Sequence, residues 1–178
     1  GKVGAEVLAQ ALGDVFEPLV QTVYAHGGFI AGFAGDAFKA IFPLEDGGET
    51  AVYARAFAAA AHIRQHMVQH KTHTTRYGDF DLVVKLSMAA GTVTWNVWPP
   101  VDDASFLSPT DGRAQRHVYT FAGPALGQCL DADAYAQAGN IVLTKGMYES
   151  LLPLVVLEVE QVNESYVRVL EIAKHQSP

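Results

Sequence analysis

The sequence predicts an α+β domain in which long helices pack on a mostly antiparallel sheet. Two observations lead to this class: two long segments have apolar residues at helical spacing, and several short runs are rich in branched and aromatic residues. Their order along the chain is helix, hairpin, helix, strand, strand, helix, strand, with two further strands at the end. The 178 residues are 49% hydrophobic, which suits one domain with a sizeable core.

The first helix is predicted over about residues 5–25, and a hairpin follows it. The apolar segments Phe29–Ala34 and Ala37–Phe42 flank the pair Gly35-Asp36, and a two-residue Gly-Asp link between such runs is typical of a tight β-turn. Asp36 therefore has a structural interpretation, because Asp is a common turn residue that bonds its own backbone. The functional alternative is that a rigid hairpin holds a metal ligand at the mouth of a cleft.

The remaining elements follow the same reasoning. A second long helix is predicted from Thr50 to about Gln69, and residues 79–93 are predicted as one long strand, apolar on both faces and central in a covered sheet. The shorter predicted elements are strands at 117–123, 140–144, 154–162 and 166–173 and a helix at 124–137. Residues 99–116 have strong loop chemistry, and a loop of this length in a compact domain indicates a functional or mobile segment.

Composition excludes several classes of partner. A net charge of −7 and a pI near 5.4 argue against nucleic acid and anionic membrane surfaces, which need a basic face. A nucleoside triphosphate remains possible if metal ions supply positive charge. No apolar run approaches the roughly 18 residues of a membrane span. With no visible signal peptide and a single cysteine, Cys129, expected as a small buried hydrophobe, we predict a cytoplasmic protein.

Two clusters each have two interpretations. His62, His66 and His70 follow one edge of the second helix at i, i+4 and i+8, and two His at that spacing can share Zn²⁺. No matching carboxylate or Cys lies nearby in sequence, and His near a helix C-terminus is favoured by the helix dipole, so we favour the structural interpretation. Trp95 and Trp98 form either an exposed dimer anchor or simple packing at a strand end.

Three motifs in a fixed order resemble the class III nucleotide cyclases. They are "HGGFIAGFAGDAFKAIFP", "VKLSMAAGTV" and "VYTFAGPALGQCLDADAYAQAGNIVLTKGMYESL". The resemblance covers about residues 5–170, and the wording "FAGDA" and "LSMAAG" is closest to the soluble, bicarbonate-responsive branch. It implies a ferredoxin-like sheet flanked by helices that works as a head-to-tail dimer, either of two copies or with a second, unlike cyclase domain.

The resemblance also implies a chemistry for the hairpin tip. In the family the carboxylate at the position of Asp36 is one of two aspartates that hold two divalent cations, Mg²⁺ or Mn²⁺, which bind the triphosphate. Gly35 of the same tip and Thr120, at a purine-selecting position, are then substrate-binding residues, with ATP favoured over GTP. The second aspartate sits on a first strand upstream of residue 5. This chain begins without that strand and without an initiator Met. We therefore expect residues 1–178 to be a single cyclase-homology domain that lacks its N-terminal strand.

The departures from the family pattern are equally specific. The family's purine-selecting Lys falls on Gly32, its transition-state Asn on Gly127 and its transition-state Arg on Asp131. An Asp in place of Arg would repel the developing phosphate charge. The leading hypothesis is a metal-bearing half-site that converts ATP to cyclic AMP and pyrophosphate with a partner domain. The main alternative is a catalytically inactive module for regulation or dimerisation. A third is an unrelated ferredoxin-like domain in which Asp36 is only a turn residue.

Overall fold

A computed structural model describes residues 2–45, 47–75, 78–98 and 118–173, and it confirms the predicted α+β class. The helices in this part of the chain are α1 (Lys2–Ala25), α2 (Gly48–Gln69), α3 (Pro124–Asp133) and α4 (Lys145–Leu151). The strands are β1 (Phe29–Ala34), β2 (Ala37–Ile41), β3 (Thr72–Thr75), β4 (Gly78–Asp81), β5 (Leu86–Met88), β6 (Thr94–Trp98), β7 (Val118–Ala122), β8 (Ile141–Thr144), β9 (Val156–Gln161) and β10 (Tyr166–Ala173). Only β5 and β8 pair in parallel among these strands, so the sheets are mostly antiparallel as predicted.

The largest sheet has four strands in the order β5-β8-β10-β9. Its inner strand β8 is the most buried element, because Ile141, Val142 and Leu143 are each 0% exposed. Burying one such branched side chain stabilises a fold by about 1.5–3 kcal/mol. Helices α2 and α4 cover the sheet, and the buried residues they share with it are Ala56, Phe57, Ala60, Met147, Leu151, Leu157, Val167 and Val169.

The hairpin of β1 and β2 packs on helices and forms a separate two-stranded sheet. A second buried cluster joins α1 to the C-terminal half of α2, and its members are Val15, Leu19, Val23, Ile63 and Met67. Hairpin residues Ile30 and Phe38 pack against this cluster. Phe42 and Leu86 contact both this cluster and the one under the four-stranded sheet, so the two cores are joined by side chains.

The prediction of one long strand over residues 79–93 is wrong. Its first part is β4, which pairs antiparallel with β3, and its later part is the short strand β5 at the edge of the four-stranded sheet. The polar residues explain the break, because Asp81 forms an ion pair with Lys71 at 2.8 Å and accepts a hydrogen bond from Thr72 Oγ1 at 2.8 Å. These contacts stabilise an exposed local hairpin instead of a central strand.

Strands β6 and β7 form a two-stranded antiparallel ribbon. The sequence predicts strand β7, whereas it does not predict β3 or β6. The predicted loop at 99–116, which connects β6 to β7, lies outside the described residues. The ribbon has no ladder partner among the other described strands.

The two long helices, α1 with 24 residues and α2 with 22, have the length that a bilayer requires. Helix α2 nevertheless has Glu49, Arg55 and Arg64 within its span. No helix in the described part of the chain is both long enough and apolar enough to cross a membrane.

Replacing two glycines near α3 by Ala should change the stability of the fold in opposite directions. Gly123 has a φ of +137°, and a Cβ there would lie 2.5 Å from the Thr92 carbonyl oxygen. Gly127 is inside the helix, and no atom lies within 4 Å of the position that a Cβ would take. We expect Gly123→Ala to lower the free energy of unfolding, because both the backbone conformation and the space exclude Ala.

The matched control is Gly127→Ala, which should raise the free energy of unfolding by about 1 kcal/mol, since Ala is the better helix former. Urea unfolding of both variants measures the difference. Equal stability of the two variants would contradict the close approach of Gly123 to Thr92.

Candidate active site

The His-Gly-Gly segment ends α1 and starts the hairpin. The Gly28 amide donates to the Val23 carbonyl at 3.0 Å and Gly27 has a φ of +78°. This 6→1 bond around a left-handed glycine is the Schellman way of ending a helix. A Cβ on Gly28 would lie 2.7 Å from the Phe42 ring, so the chain needs glycine at this point as well. The motif therefore fixes the direction in which β1 leaves the helix.

The hairpin tip has the predicted two-residue turn. Ala34 pairs with Ala37, which leaves Gly35 and Asp36 as the loop. Gly35 has a φ of +63° and Asp36 does not have a positive φ, which are the signs of a type II′ turn with glycine first. Asp36 is exposed, and none of the ion pairs among the described residues includes it. Its carboxylate is consequently available to a ligand from outside the fold.

Three aromatic rings attach the hairpin to α1. The ring of Phe16 lies 5.8 Å from the ring of Phe33 and 5.8 Å from that of Phe38, and the last two are 6.0 Å apart. Phe33 and Phe38 are paired across the strands one residue before the turn pair Ala34 and Ala37. The position of the tip therefore depends on this triangle of rings.

Thr120 lies on β7, opposite Asn96 of β6. Its hydroxyl oxygen accepts a hydrogen bond from Trp98 Nε1 at 3.1 Å, which leaves the hydroxyl proton free to be donated. The rings of Phe29 on β1 and Phe121 on β7 lie 6.0 Å apart, so the ribbon with Thr120 contacts the start of the hairpin. The fold thus associates the elements that carry Asp36 and Thr120, although these two side chains are not in contact.

The ribbon has exposed aromatic side chains on both of its faces. Trp95 is 62% exposed and Tyr119 55%, and their rings stack at 6.2 Å on one face. Trp98, which is 55% exposed, lies on the other face with Thr120. Large apolar side chains that stay this exposed and also stack together are typical of interaction surfaces. Of the two interpretations of Trp95 and Trp98, packing at a strand end within the chain leaves this exposure unexplained.

Helix α3 contains Gly127 and Asp131, the two positions to which the sequence resemblance assigns transition-state residues. Gly127 and Asp131 are both exposed, and Asp131 lines a groove together with Tyr135, Glu164 and Tyr166. Two carboxylates in that groove give it a negative character. A groove of this charge disfavours a triphosphate unless cations or a partner's basic residues intervene.

Cys129 sits on the inner side of the same helix. Its thiol donates to the Ser87 carbonyl at 3.2 Å. Burial raises the pKa of the Cys129 thiol, with the Ser87 hydrogen bond and the Lys39 ammonium acting in the opposite direction. The thiol is therefore protonated at neutral pH, and the residue is half-buried between α3 and β5, whereas the sequence predicts a buried one.

Lys39 lies beside the candidate site, although no sequence pattern singles it out. It is directly opposite Gly32 across the hairpin ladder, and nothing lies within 4 Å of a Cβ on Gly32. Side chains of directly opposed residues leave a sheet on the same face, with Cβ atoms about 5 Å apart. The hairpin therefore has an amine on the same face as position 32, to which the sequence resemblance assigns a purine-selecting Lys, one strand away. Only the strand register, which the sequence does not give, reveals this.

The described residues contain no group of three or more His, Cys, Asp and Glu side chains placed to hold a metal ion. His62, His66 and His70 do not converge as one three-ligand site; instead the rings of His66 and His70 stack at 4.3 Å and His62 contacts His26 at 4.9 Å. Asp36 therefore belongs to no such group among the described residues.

Two cavities in the described part of the fold lie away from Asp36 and Thr120. One is lined by Glu49, Tyr53, Gln128, Lys145 and Ser165 among others, and the second is the groove at Asp131. Neither lining includes Asp36 or Thr120.

No protein-family model and no curated protein sequence matches the chain. Solved structures do match it. The adenylyl cyclase CyaB from P. aeruginosa superposes with a TM-score of 0.71 at 16% identity, over 97% of this chain and 86% of that one. The guanylate cyclase domain of RhGC from Catenaria anguillulae, in complex with GTP, gives 0.67 at 15% identity, over 91% and 82%. The non-canonical dimeric guanylyl cyclase domain of RhoGC from the aquatic fungus Blastocladiella emersonii gives 0.67 at 16%, over 92% and 81%.

These similarities define the class of fold: the chain has the fold of adenylyl and guanylyl cyclase domains. The fold that the sequence motifs implied is thereby confirmed. Both kinds of cyclase are among the similar structures, so the choice of purine stays a prediction, as does the relation to the bicarbonate-responsive branch. The roles of Gly35, Asp36 and Thr120 likewise stay predictions.

The aromatic triangle generates a prediction about the tip. Replacing Phe16 by Ala should lower the free energy of unfolding by about 1–3 kcal/mol, because two ring pairs worth about 0.5–1.5 kcal/mol each are lost. Phe16→Leu is the matched control, since it keeps most of the apolar area. Amide hydrogen exchange should accelerate over residues 29–41 in Phe16→Ala, and unchanged exchange there would show that the rings do not hold the hairpin.

Proposed function

We propose that this chain is the metal-bearing half of a nucleotide cyclase site and converts ATP to cyclic AMP and pyrophosphate with a second cyclase domain. The observation that carries the proposal is the pairing of a cyclase-domain fold over almost the whole chain with an exposed Asp36 at the tip of a two-residue turn. Gly-Asp is an ordinary link in a two-residue turn, so the cyclase-domain fold, and not the turn itself, is what favours the metal interpretation of Asp36.

The residues present fit one part of a divalent-cation site. Mg²⁺ and Mn²⁺ take carboxylate oxygens and keep several waters, and the Asp36 carboxylate is exposed and outside every ion pair described. When bound, such a cation neutralises triphosphate charge and lowers the pKa of the attacking ribose hydroxyl. Asp36 would hold the cation at the hairpin tip, where the two-residue turn fixes the position of the carboxylate.

Thr120 supports the choice of ATP. Trp98 Nε1 occupies one of the two acceptor positions of the Thr120 oxygen, and the hydroxyl proton can be donated to a ligand. Adenine has an acceptor at N1, where guanine has an N–H donor. A donor held in place by the ribbon therefore matches adenine at that ring position. Among similar structures, one guanylyl cyclase domain is in complex with GTP and a rhodopsin-guanylyl cyclase core with converted specificity is in complex with ATPαS.

The partner must supply what this chain lacks. Gly127 offers no side chain and Asp131 has the wrong charge for stabilising a phosphoryl transition state. The face of the ribbon on which Trp95 and Tyr119 stack is the surface we assign to the contact with the second domain. A dimeric arrangement is known for one of the similar guanylyl cyclase domains.

We further propose that an additional strand completes the sheet. Among the described strands, β5 pairs only with β8 and β2 pairs only with β1, so both have an open edge. Their flanking residues Phe42 and Leu86 pack into the same two cores. A strand with a second Asp, as the family resemblance implies, would fit between these elements and bring a carboxylate towards Asp36.

The second candidate function is a catalytically inactive module of the same fold, used for regulation or dimerisation. The observation that favours it is the pair Gly127 and Asp131, since both catalytic positions on α3 are changed. This candidate uses the same aromatic ribbon for assembly and predicts that Asp36 is dispensable.

Metal binding separates the two candidates. Asp36→Asn should abolish the binding of Mn²⁺ in the presence of ATP, measured by titration calorimetry, while changing the free energy of unfolding by no more than about 0.5 kcal/mol. Asp79→Asn is the matched control, because Asp79 is also an exposed carboxylate in a hairpin. Equal Mn²⁺ affinity in the Asp36 and Asp79 variants would remove Asp36 from the site.

Activity should depend on the partner. The purified chain alone is expected to produce negligible cyclic AMP, since loss of a single charge-stabilising donor costs about 100- to 1,000-fold in rate and two are absent. Mixing it with a cyclase domain that has Lys, Asn and Arg at the positions of Gly32, Gly127 and Asp131 should generate activity that neither has alone.

That activity should vanish again with Asp36→Ala. Robust turnover by the isolated chain would overturn the assignment of Gly127 and Asp131. A stable complex that stays inactive with a fully equipped partner would favour the regulatory module.

A further inference from the structure

The histidines at the C-terminal end of α2 form a feature that a nucleotide site does not use. His66 and His70 are one helical turn apart, with ring centroids 4.3 Å apart and planes inclined by 25°. We propose that these two imidazoles chelate a borderline divalent metal ion, namely Zn²⁺, Ni²⁺ or Cu²⁺. Two His at i and i+4 on a helix face are a spacing that places both rings beside one metal ion.

The hydrogen bonding of His70 fixes the tautomer that a metal requires. His70 Nδ1 lies 3.0 Å from the His66 carbonyl oxygen, and a carbonyl can only accept, so Nδ1 carries the proton. In the neutral ring Nε2 then presents its lone pair. Metal-bound imidazoles very often donate their other N–H to a carbonyl in this way, which orients the ring and increases its basicity.

Both rings of the pair are oriented by contacts within the fold. The His66 ring is half-buried, and the exposed His70 ring is oriented by its hydrogen bond to the His66 carbonyl. Because the two rings are stacked, a rotation of the rings within these contacts must turn their lone pairs towards one ion.

A second histidine pair in the fold is less suitable. His26 and His62 meet across α1 and α2 with centroids 4.9 Å apart, but their planes are inclined by 66° in an edge-to-face contact. That contact directs the edge of one ring at the face of the other, so the lone pairs do not lie side by side. Their rings also sit on two separate segments of the chain, whereas His66 lies in the last turn of α2 and His70 is its C-cap residue, with a backbone N–H that donates to the His66 carbonyl.

The chemistry of the pair selects the metal. Imidazole nitrogen suits Zn²⁺, Cu²⁺ and Ni²⁺, whereas Mg²⁺ and Ca²⁺ take oxygen ligands. Since no third His, Cys, Asp or Glu among the described residues joins the pair in a metal-binding arrangement, water must complete the coordination. An open, water-completed site exchanges its ion readily, and its affinity should follow the order Cu²⁺ over Ni²⁺ and Zn²⁺. This site is independent of Asp36, whose carboxylate suits hard cations.

The test uses the untagged full chain in the presence of excess Mg²⁺, which occupies oxygen sites. Titration calorimetry should detect Zn²⁺ and Cu²⁺ binding. His70→Gln should weaken Zn²⁺ binding at least about tenfold, because the second metal–nitrogen bond is intramolecular and is lost. His66→Gln should behave in the same way. His62→Gln, on the same helix, is the matched control and should keep the affinity of the unmodified chain.

A second readout locates the ion. Substoichiometric Cu²⁺ should broaden the ring proton resonances of His66 and His70 before those of other histidines. The proposal is overturned if the chain does not bind Zn²⁺ or Cu²⁺, if His70→Gln binds as tightly as the unmodified chain, or if His62→Gln loses as much affinity as His70→Gln. Far-ultraviolet circular dichroism of the three variants verifies that their helices are intact.

Discussion

Helix α2 is the element on which the rest of the fold depends, because one helix packs against two separate pieces of sheet. Its N-terminal half, with Ala56, Phe57 and Ala60, covers the buried strand β8, and its C-terminal half, with Ile63 and Met67, joins α1 and the hairpin. The described strands form no continuous hydrogen-bond ladder between these pieces. The relative position of the hairpin tip and the four-stranded sheet is therefore set by side-chain packing, with Phe42 and Leu86 shared between both cores.

Local features of the site follow from this arrangement. The Schellman end of α1 turns the chain at Gly27, the Phe16 triangle fixes the hairpin on α1, and the type II′ turn exposes Asp36. The groove beside α3 has a negative charge, because Asp131 and Glu164 line it. The proposed half-site has a carboxylate for cations and no Lys or Arg on α3, so metal ions or a partner's basic residues must balance the charge of a bound triphosphate.

Sequence reasoning succeeds where the signal is local. The two-residue Gly-Asp turn, the apolar stripe of α2 and Pro124 at the start of α3 are each encoded within a few residues, and all three are found. The prediction of one strand over residues 79–93 fails, because a hydrophobic run does not show with which strands it will pair. In the structure the contacts of Asp81 with Lys71 and Thr72 favour a local hairpin. The sequence does not reveal the position of Lys39 opposite Gly32, because that position depends on the strand register. It also does not reveal the hydrogen bond from Trp98 to Thr120, because that bond joins two strands separated by a long connection.

The attachment of the hairpin by side chains alone has a consequence for its energetics. Strand β8 is tied to neighbours on both sides by backbone hydrogen bonds, so it can open only when the whole domain unfolds. Among the described strands the hairpin pairs only within itself, so we expect it to open at a lower free energy than the four-stranded sheet. The free energy of opening the hairpin should be smaller than the free energy of unfolding the whole domain. A neighbour that pairs with the open edge of the hairpin would suppress this opening. A second domain that docks there would consequently stiffen the carboxylate at the tip as well as supply groups to it, so that assembly and the ordering of Asp36 become a single thermodynamic event.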